Sequence, residues 1–326
     1  MKKVFTIIIV CFSFLVFSQV NVGPKIKVAG YSPDKFHPDA IKQLKRTKTY
    51  FVYGEQDKDQ LESWTKALQR SWTITSFGFM SIEDFNKLDP KEWQGKSFLM
   101  KYQETYVWEV RGDYGVKTNS LAYPCLTLVK IRPGGEYYFY CRIDLAPDLK
   151  TSGYKTKFHR LSQKEKGKYL YNKAVFHNWY PGLLMGPLGF VNKSLLEEKP
   201  SSIFKGMKTK DALGELKTKT LCVPEYVFLY RGGYDKDNPY VDIEKVKSKY
   251  DYKIKIVSAE RLSELILEGK RDIYLLSYSR IIHDKFISVY NTGNCELLYK
   301  KRKANSHNIK KSDFKKLAKA VRKAGP

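Results

Sequence analysis

The chain has 326 residues, 42% hydrophobic and 29% charged, with a formal net charge of +25. That composition excludes a disordered or low-complexity polymer and leaves room for two ordinary domains. The charge favours anionic company, such as lipid headgroups, acidic polysaccharide, nucleic acid or an acidic protein; the plainer reading is a solvated lysine-rich surface, the usual fate of charge runs.

The first 18 residues read as a secretory signal. Lys2 and Lys3 form a basic start, Val4 to Phe17 is an apolar run of 14 residues, and Val16-Phe17-Ser18 offers a cleavage site before Gln19. An uncleaved anchor is the alternative, but the run falls short of the ~20 residues a bilayer span needs. The expected mature protein is exported, periplasmic or extracellular, and keeps a charge of +23 once both lysines leave.

Helix and strand signals then alternate. Lys25–Val28 reads as a short strand. Pro38–Lys45 reads as a helix, with Ile41 and Leu44 one turn apart. Thr49–Tyr53 is the first core strand, and Lys58–Arg70 a helix with Leu61, Trp64 and Leu68 on one face. Trp72–Phe77 alternates as a strand, and Ser81-Ile-Glu-Asp84 opens a helix through Leu88. Ser97–Tyr102 is a third strand. Gln103–Pro124, which carries Gly112 and Gly115, reads as irregular. Cys125–Ile131 and Glu136–Ile143 form a hairpin around Arg132-Pro-Gly-Gly135, and Ser162-Gln-Lys-Glu165 caps a helix running towards Trp179.

The second half repeats this order. Thr220–Val223 is a strand, Asp242–Lys249 a helix, Lys253–Val257 a strand, and Ser258 opens the next helix. Asp272–Tyr278 is a strand. Lys285–Tyr290 and Cys295–Lys300 form a hairpin across Asn291-Thr-Gly-Asn294. Ser312 caps a last helix. The repeat also shows in the residues. Asp39-Ala-Ile-Lys-Gln-Leu-Lys-Arg-Thr-Lys-Thr49 and Asp211-Ala-Leu-Gly-Glu-Leu-Lys-Thr-Lys-Thr220 share seven identities with one gap opposite Arg46.

The expected fold is therefore mixed α/β with two tandem repeated lobes. Each lobe runs roughly α-β-α-β-α-β-β-β-α, a mixed sheet flanked by helices. Residues 19–150 form the first lobe, 151–210 a helical connector and 211–326 the second lobe with a basic C-terminal helix. The element order of one lobe is similar to that of the small α/β domain at the amino end of the periplasmic Tol-system propeller protein, a likeness of topology alone.

Four cysteines remain after the signal: Cys125, Cys141, Cys222 and Cys295. An oxidising compartment permits disulfides. Cys125 and Cys141 sit on the two arms of the first hairpin. A three-residue loop would set them opposite each other and a two-residue loop would not. The other reading is buried thiols.

The connector holds the most apolar segment, Val175 to Val191, in which Pro181 and Pro187 argue for a kinked helical pair. It either fills the seam between lobes or exposes a partner patch of Trp179, Tyr180, Leu183, Leu184, Met185 and Phe190.

Catalytic chemistry is not legible. The histidines (His37, His159, His177, His283 and His307) show no metalloprotease spacing. The loop Arg231–Asp242, with Asp235, Asp237 and Asp242, lacks the glycine and glutamate of a calcium loop. There is no nucleophile elbow or phosphate cradle, and neither metal nor cofactor is expected. The tail is sharper. Phe314, Leu317, Ala318 and Val321 form an apolar stripe, and Lys315, Lys316, Lys319, Arg322 and Lys323 the opposite face. The stripe either docks on the second lobe or lies on an anionic surface.

The reading that follows is an exported, non-enzymatic binding or assembly module for another envelope or secreted macromolecule. The alternatives are a binder of anionic lipid or polyanion through the tail helix, and an enzyme with a site between the lobes. No specific nucleic-acid motif appears, and oligomeric state is open.

Overall fold

The computed structural model describes residues 19–24, 35–112, 115–148, 150–151, 161–202, 207–208, 210–229, 241–269, 273–281 and 284–325. The expected signal segment, the expected strand at Lys25–Val28, His159, His283 and most of the Arg231–Asp242 segment lie outside them. No helix among the described residues is long and apolar enough to cross a membrane.

The first part of the chain runs β1 (Val20–Val22), α1 (Ala40–Lys45), β2 (Lys48–Tyr53), a 3-10 turn (Glu55–Gln60), α2 (Leu61–Ser71), β3 (Phe77–Ser81) and α3 (Ile82–Phe85). It continues through β4 (Lys96–Gly112), β5 (Gly115–Ile131) and β6 (Tyr137–Asp144). Helices α4 (Gln163–Asn172) and α5 (Pro181–Leu196) follow. The second part runs β7 (Met207–Lys208), α6 (Lys210–Gly214), β8 (Thr220–Pro224), α7 (Ile243–Lys247), β9 (Ile254–Val257) and α8 (Ala259–Leu267). It ends with β10 (Ile273–Ile281), β11 (Asp284–Asn291), β12 (Leu297–Lys303) and α9 (Lys311–Arg322).

These strands make two mixed six-stranded sheets, ordered β1-β6-β5-β4-β2-β3 and β7-β12-β11-β10-β8-β9. In the first, β2 is parallel to β3 and β4, and the rest of the pairing is antiparallel. The second has the same pattern, with β8 parallel to β9 and β10. The two similar segments occupy corresponding places: each supplies the helical turn before the first central parallel strand, and each buries its leucine, Leu44 or Leu216.

Several expectations are corrected. Trp72–Phe77 is not a strand. Asn192 Oδ1 accepts from Thr73 N and Ile74 N at 2.8 and 2.9 Å, and Trp72 Nε1 donates to Thr75 Oγ1 at 2.9 Å. Two of this segment's backbone donors are thus held by a side chain, and the strand begins only at Phe77. Gln103–Pro124 is not irregular either. β4 and β5 stay in register from Gln103↔Pro124 to Gly112↔Gly115, so the glycines mark a hairpin tip. The last helix is capped at Lys310, whose N–H is accepted by Asp313 Oδ2 at 2.8 Å, and Ser312 lies inside it.

The Cys125–Cys141 bridge does not form. Cys125 stands opposite Asp144 and Cys141 opposite Leu128, three rungs apart, and both are buried free thiols. Burial pushes the Cys141 thiol up to about 12 and the Cys295 thiol up to about 11.

Pro181 and Pro187 do not split the connector. Pro181 opens α5, and Pro187 sits within one continuous 16-residue helix. An internal proline costs a helix about 3 kcal/mol; here burial on both sides offsets it. Leu184, Leu188, Val191 and Leu195 enter the core of the first sheet, and Leu183 and Met185 that of the second. Glycines allow this approach. A Cβ on Gly182 would lie 2.3 Å from Ser263 O, and one on Gly189 would lie 2.3 Å from Cys295 Cβ. Arg70, at the end of α2, ties the sheets further by donating to Ile266 O at 2.7 Å.

Candidate functional site

The two sites expected from sequence fare differently. Of the apolar patch, Trp179, Leu183, Leu184 and Met185 are buried, and Tyr180 and Phe190 are partly buried against the cores. The patch is a correction: α5 spends it on holding the sheets together, and it offers no free surface. The same helix occupies the seam where a catalytic crevice between lobes was an alternative.

The tail behaves as an amphipathic helix. Phe314, Leu317, Ala318 and Val321 pack in the second core, and Lys315, Lys316, Lys319, Arg322 and Lys323 are exposed. Arg322 pairs with Asp251 at 2.6 Å. α9 is pinned from below by Lys285 of β11, whose ammonium pairs with Asp313 and donates to Asn308 O. Burial pushes Lys285 down to about 8, against the pull of Asp313.

A cleft that sequence reading missed opens on the first sheet, with a volume of about 1060 Å³. It lies beyond the carboxyl ends of parallel strands β3 and β2, where β4 runs on paired with β5 only. Open α/β sheets commonly place ligands there. Local signals build each wall. Ser81 caps α3, accepting from Asp84 N at 3.0 Å, so that Ile82 and Phe85 come directly off β3. Asp89 and Glu92 cap the turn Pro90–Trp93 reciprocally, which sets Trp93. The turn before β6 uses Gly134 and Gly135 at φ +95° and +85°, which glycine alone adopts cheaply. It delivers Tyr137 and Phe139, which meet Tyr102 edge-to-face at 6.3 and 5.3 Å. Burial holds the Tyr102 phenol up at about 12. The far wall is α4, capped by Ser162 and Glu165 and carrying Lys166, Gly167, Leu170 and Tyr171.

Beside the cleft lies a buried ion pair. Lys101 Nζ stands 3.2 Å from Asp57 Oδ2, 5.1 Å from the Tyr171 ring centre and 4.2 Å from that of Trp179. Asp57 also accepts from Trp179 Nε1 at 2.7 Å and Gly54 N at 2.9 Å. The Lys101 backbone N–H, beyond the end of the β2–β4 pairing, donates to Tyr171 Oη at 2.8 Å. Burial holds the Lys101 ammonium below its ordinary range, and Asp57 opposes that. Both charges are spent on each other and on packing, so the pair is a rigid floor. Two polar atoms at the cleft lack a partner: Gln103 Nε2, on a residue only 6% exposed, and Trp93 Nε1.

A second charged cluster lies on β6. Arg142 Nε donates to Asp144 Oδ1 at 2.6 Å, and its Nη1 to Glu104 at 2.7 Å. Burial outweighs Arg142 at Asp144 and lifts that carboxyl from near 3.8 to about 6. The folded chain then keeps a proton at Asp144 that the unfolded chain releases between about pH 4 and 6. Stability conferred by that proton is present below pH 4 and is lost as pH rises to 6. Urea denaturation across this window should show wild type losing stability relative to Asp144→Asn; parallel pH curves would refute the shift.

No group of histidine, cysteine and carboxylate side chains among the described residues is placed to hold a metal ion. Two signals could have revealed the cleft in the sequence. One is the alternation of Tyr137 and Phe139 on β6, which β5 separates from Tyr102 on β4. The other is Gly167 in the middle of a capped helix, where alanine would be more stable. No family model, curated protein or solved structure matches the chain.

Proposed function

We propose that this chain is an exported binding module built from two duplicated lobes, which engages an envelope or secreted macromolecule through the cleft face of its first lobe. The duplication is supported by the shared strand order and by the corresponding positions of the two similar segments. The observation that carries the binding reading is the cleft itself. It is aromatic-walled, sits at the end of parallel strands and is floored by a mutually neutralised Lys101–Asp57 pair. Such a site orients a bound group and has no charged side chain free on its floor for proton transfer.

The test is a crosslinking pull-down from the native envelope with wild type and with Gly167→Trp, which fills the cleft from α4. A partner captured by wild type and lost by the variant supports the reading. A partner retained equally by both overturns it.

A second reading is favoured by the exposed basic face of α9: anionic lipid or polyanion binding. Replacing Lys315, Lys316, Lys319, Arg322 and Lys323 with Gln should abolish salt-sensitive binding to anionic vesicles and leave the melting temperature within a few degrees, because the buried stripe is untouched. Vesicle binding unchanged by these replacements would remove this reading.

A further inference from the structure

We propose that a small basic pocket on the first sheet, separate from the cleft, binds the phosphoryl group of a phosphate monoester. The pocket has a volume of about 100 Å³ and lies between α1 and the β5–β6 hairpin, where His37, Gln43, Lys130, Arg132, Tyr138 and Tyr140 line it. It shares no lining residue with the cleft, so its failure would leave the cleft reading untouched. Register and turn chemistry build it. Lys130 of β5 stands opposite Tyr138 of β6, which puts both on one face of the sheet. The turn between the strands closes on Arg132, whose N–H is accepted by Glu136 O at 2.8 Å and whose carbonyl accepts from Gly135 N at 3.0 Å. The Arg132 guanidinium lies over the Tyr138 ring, 4.6 Å from its centre. On the other side, Tyr140 Oη donates to Ala40 O at 3.1 Å and Lys130 Nζ to Gln43 Oε1 at 3.0 Å, which fixes α1 against the hairpin. His37 N donates to Tyr138 Oη at 3.3 Å.

Charge specifies the occupant. Among the described residues no carboxylate lines this pocket; Asp39 and Glu136, the closest in sequence, lie outside it. Lys130 meets the neutral Gln43 amide and Arg132 meets the Tyr138 ring, and neither is in an ion pair among the described residues. Burial and the neighbouring Arg132 both hold the Lys130 ammonium below its ordinary range. Two like charges therefore stand together with no anion between them, and an anion placed there removes the repulsion. Hydrogen bonding agrees. The Gln43 oxygen is engaged and leaves its N–H groups, Lys130 keeps two N–H, Arg132 keeps its fork, and Tyr138 has its O–H to give. Size narrows the class further. A space of about 100 Å³ is well below the roughly 300 Å³ at which ordinary ligand sites begin, so it admits one group and leaves the rest of the molecule outside. Two fixed cations match the charge of about −2 that a phosphate monoester carries at neutral pH. The arginine fork suits its oxygens, and a carboxylate or sulfate ester brings one charge alone.

The test is calorimetric titration of the purified chain with methyl phosphate, with methyl sulfate as the singly charged control of the same shape. The chain should bind methyl phosphate at one site, at least fivefold more tightly than methyl sulfate. Lys130→Gln and Arg132→Gln should each weaken methyl phosphate at least tenfold and melt as wild type, since neither side chain belongs to the buried core. Arg132→Lys, which keeps the charge and loses the fork, should fall between wild type and Arg132→Gln. Lys253→Gln/Lys255→Gln, which removes two exposed charges at β9, should bind as wild type. No binding of methyl phosphate, equal affinity for the two esters, or wild-type binding by Lys130→Gln and Arg132→Gln would overturn the proposal. So would an equal loss in the β9 variant, which would put net charge in place of a site. Vesicles of phosphatidic acid in phosphatidylcholine separate the sources of the group. Retention on them that Arg132→Gln abolishes assigns a lipid headgroup to the pocket; without that dependence, the phosphoryl group belongs to a soluble ester.

Discussion

Gly189→Ala is expected to lower stability by about 2–3 kcal/mol, the cost of overpacking a closed interface. The added methyl would lie 2.3 Å from Cys295 Cβ and 3.2 Å from its sulfur. Cys295 sits at φ +59°, a left-handed conformation that L-residues adopt at a cost. Cys295→Gly removes both the obstacle and the strain. The double variant Gly189→Ala/Cys295→Gly should therefore recover most of the loss, and the coupling in the cycle should match the clash. Gly182→Ala is the contrast. Its methyl meets backbone, at 2.3 Å from Ser263 O and 2.8 Å from Ser263 Cα, so no side-chain change in α8 relieves it. Urea unfolding midpoints for wild type and these four variants decide the matter. A Gly189→Ala variant as stable as wild type would mean that α5 does not seat between the sheets as described.

Lys101→Met should cost about 3–5 kcal/mol, because it strands a buried carboxylate. Asp57 is 2% exposed and would keep only Trp179 Nε1 and Gly54 N as donors. The informative measurement is the second substitution. Asn at position 57 keeps an acceptor oxygen for those two donors and carries no charge. Lys101→Met/Asp57→Asn should then regain at least half of the loss, since replacing a buried pair by neutral groups is often close to neutral. A double variant no better than the single would show that Lys101 stabilises by packing between Tyr171 and Trp179, with little contribution from its charge.

Much of the element order was legible because it rests on local signals. Leu61, Trp64 and Leu68 repeat at helical spacing. Ser81, Ser162 and Ser258 each precede a helix and accept from its first turn, as capping predicts. Asn291-Thr-Gly-Asn294 turns one hairpin. Where local signals misled, a distant group had taken over. Trp72–Phe77 has strand-like alternation, yet Asn192, more than a hundred residues away, holds its backbone donors. Gly112 and Gly115 suggested irregular chain, but glycines at a hairpin tip and glycines in a loop look the same until the partner strand is known.

The alternation of helices and strands, the internal similarity of the two halves, the amphipathic tail and the excess of positive charge could be read without a structure, since each depends on residues within a turn or two of one another or on composition alone. Long-range packing settled the rest. It turned the apolar run around Pro187 from a prospective surface into a wedge, because three glycines let α5 approach the second sheet closely. It separated Cys125 from Cys141 through strand register. It also brought α3, the Pro90–Trp93 turn, β4, β6 and α4 around one cleft whose residues span positions 82 to 171. No local periodicity encodes that meeting, because it depends on which strand lies beside which and on where β2 stops while β4 continues.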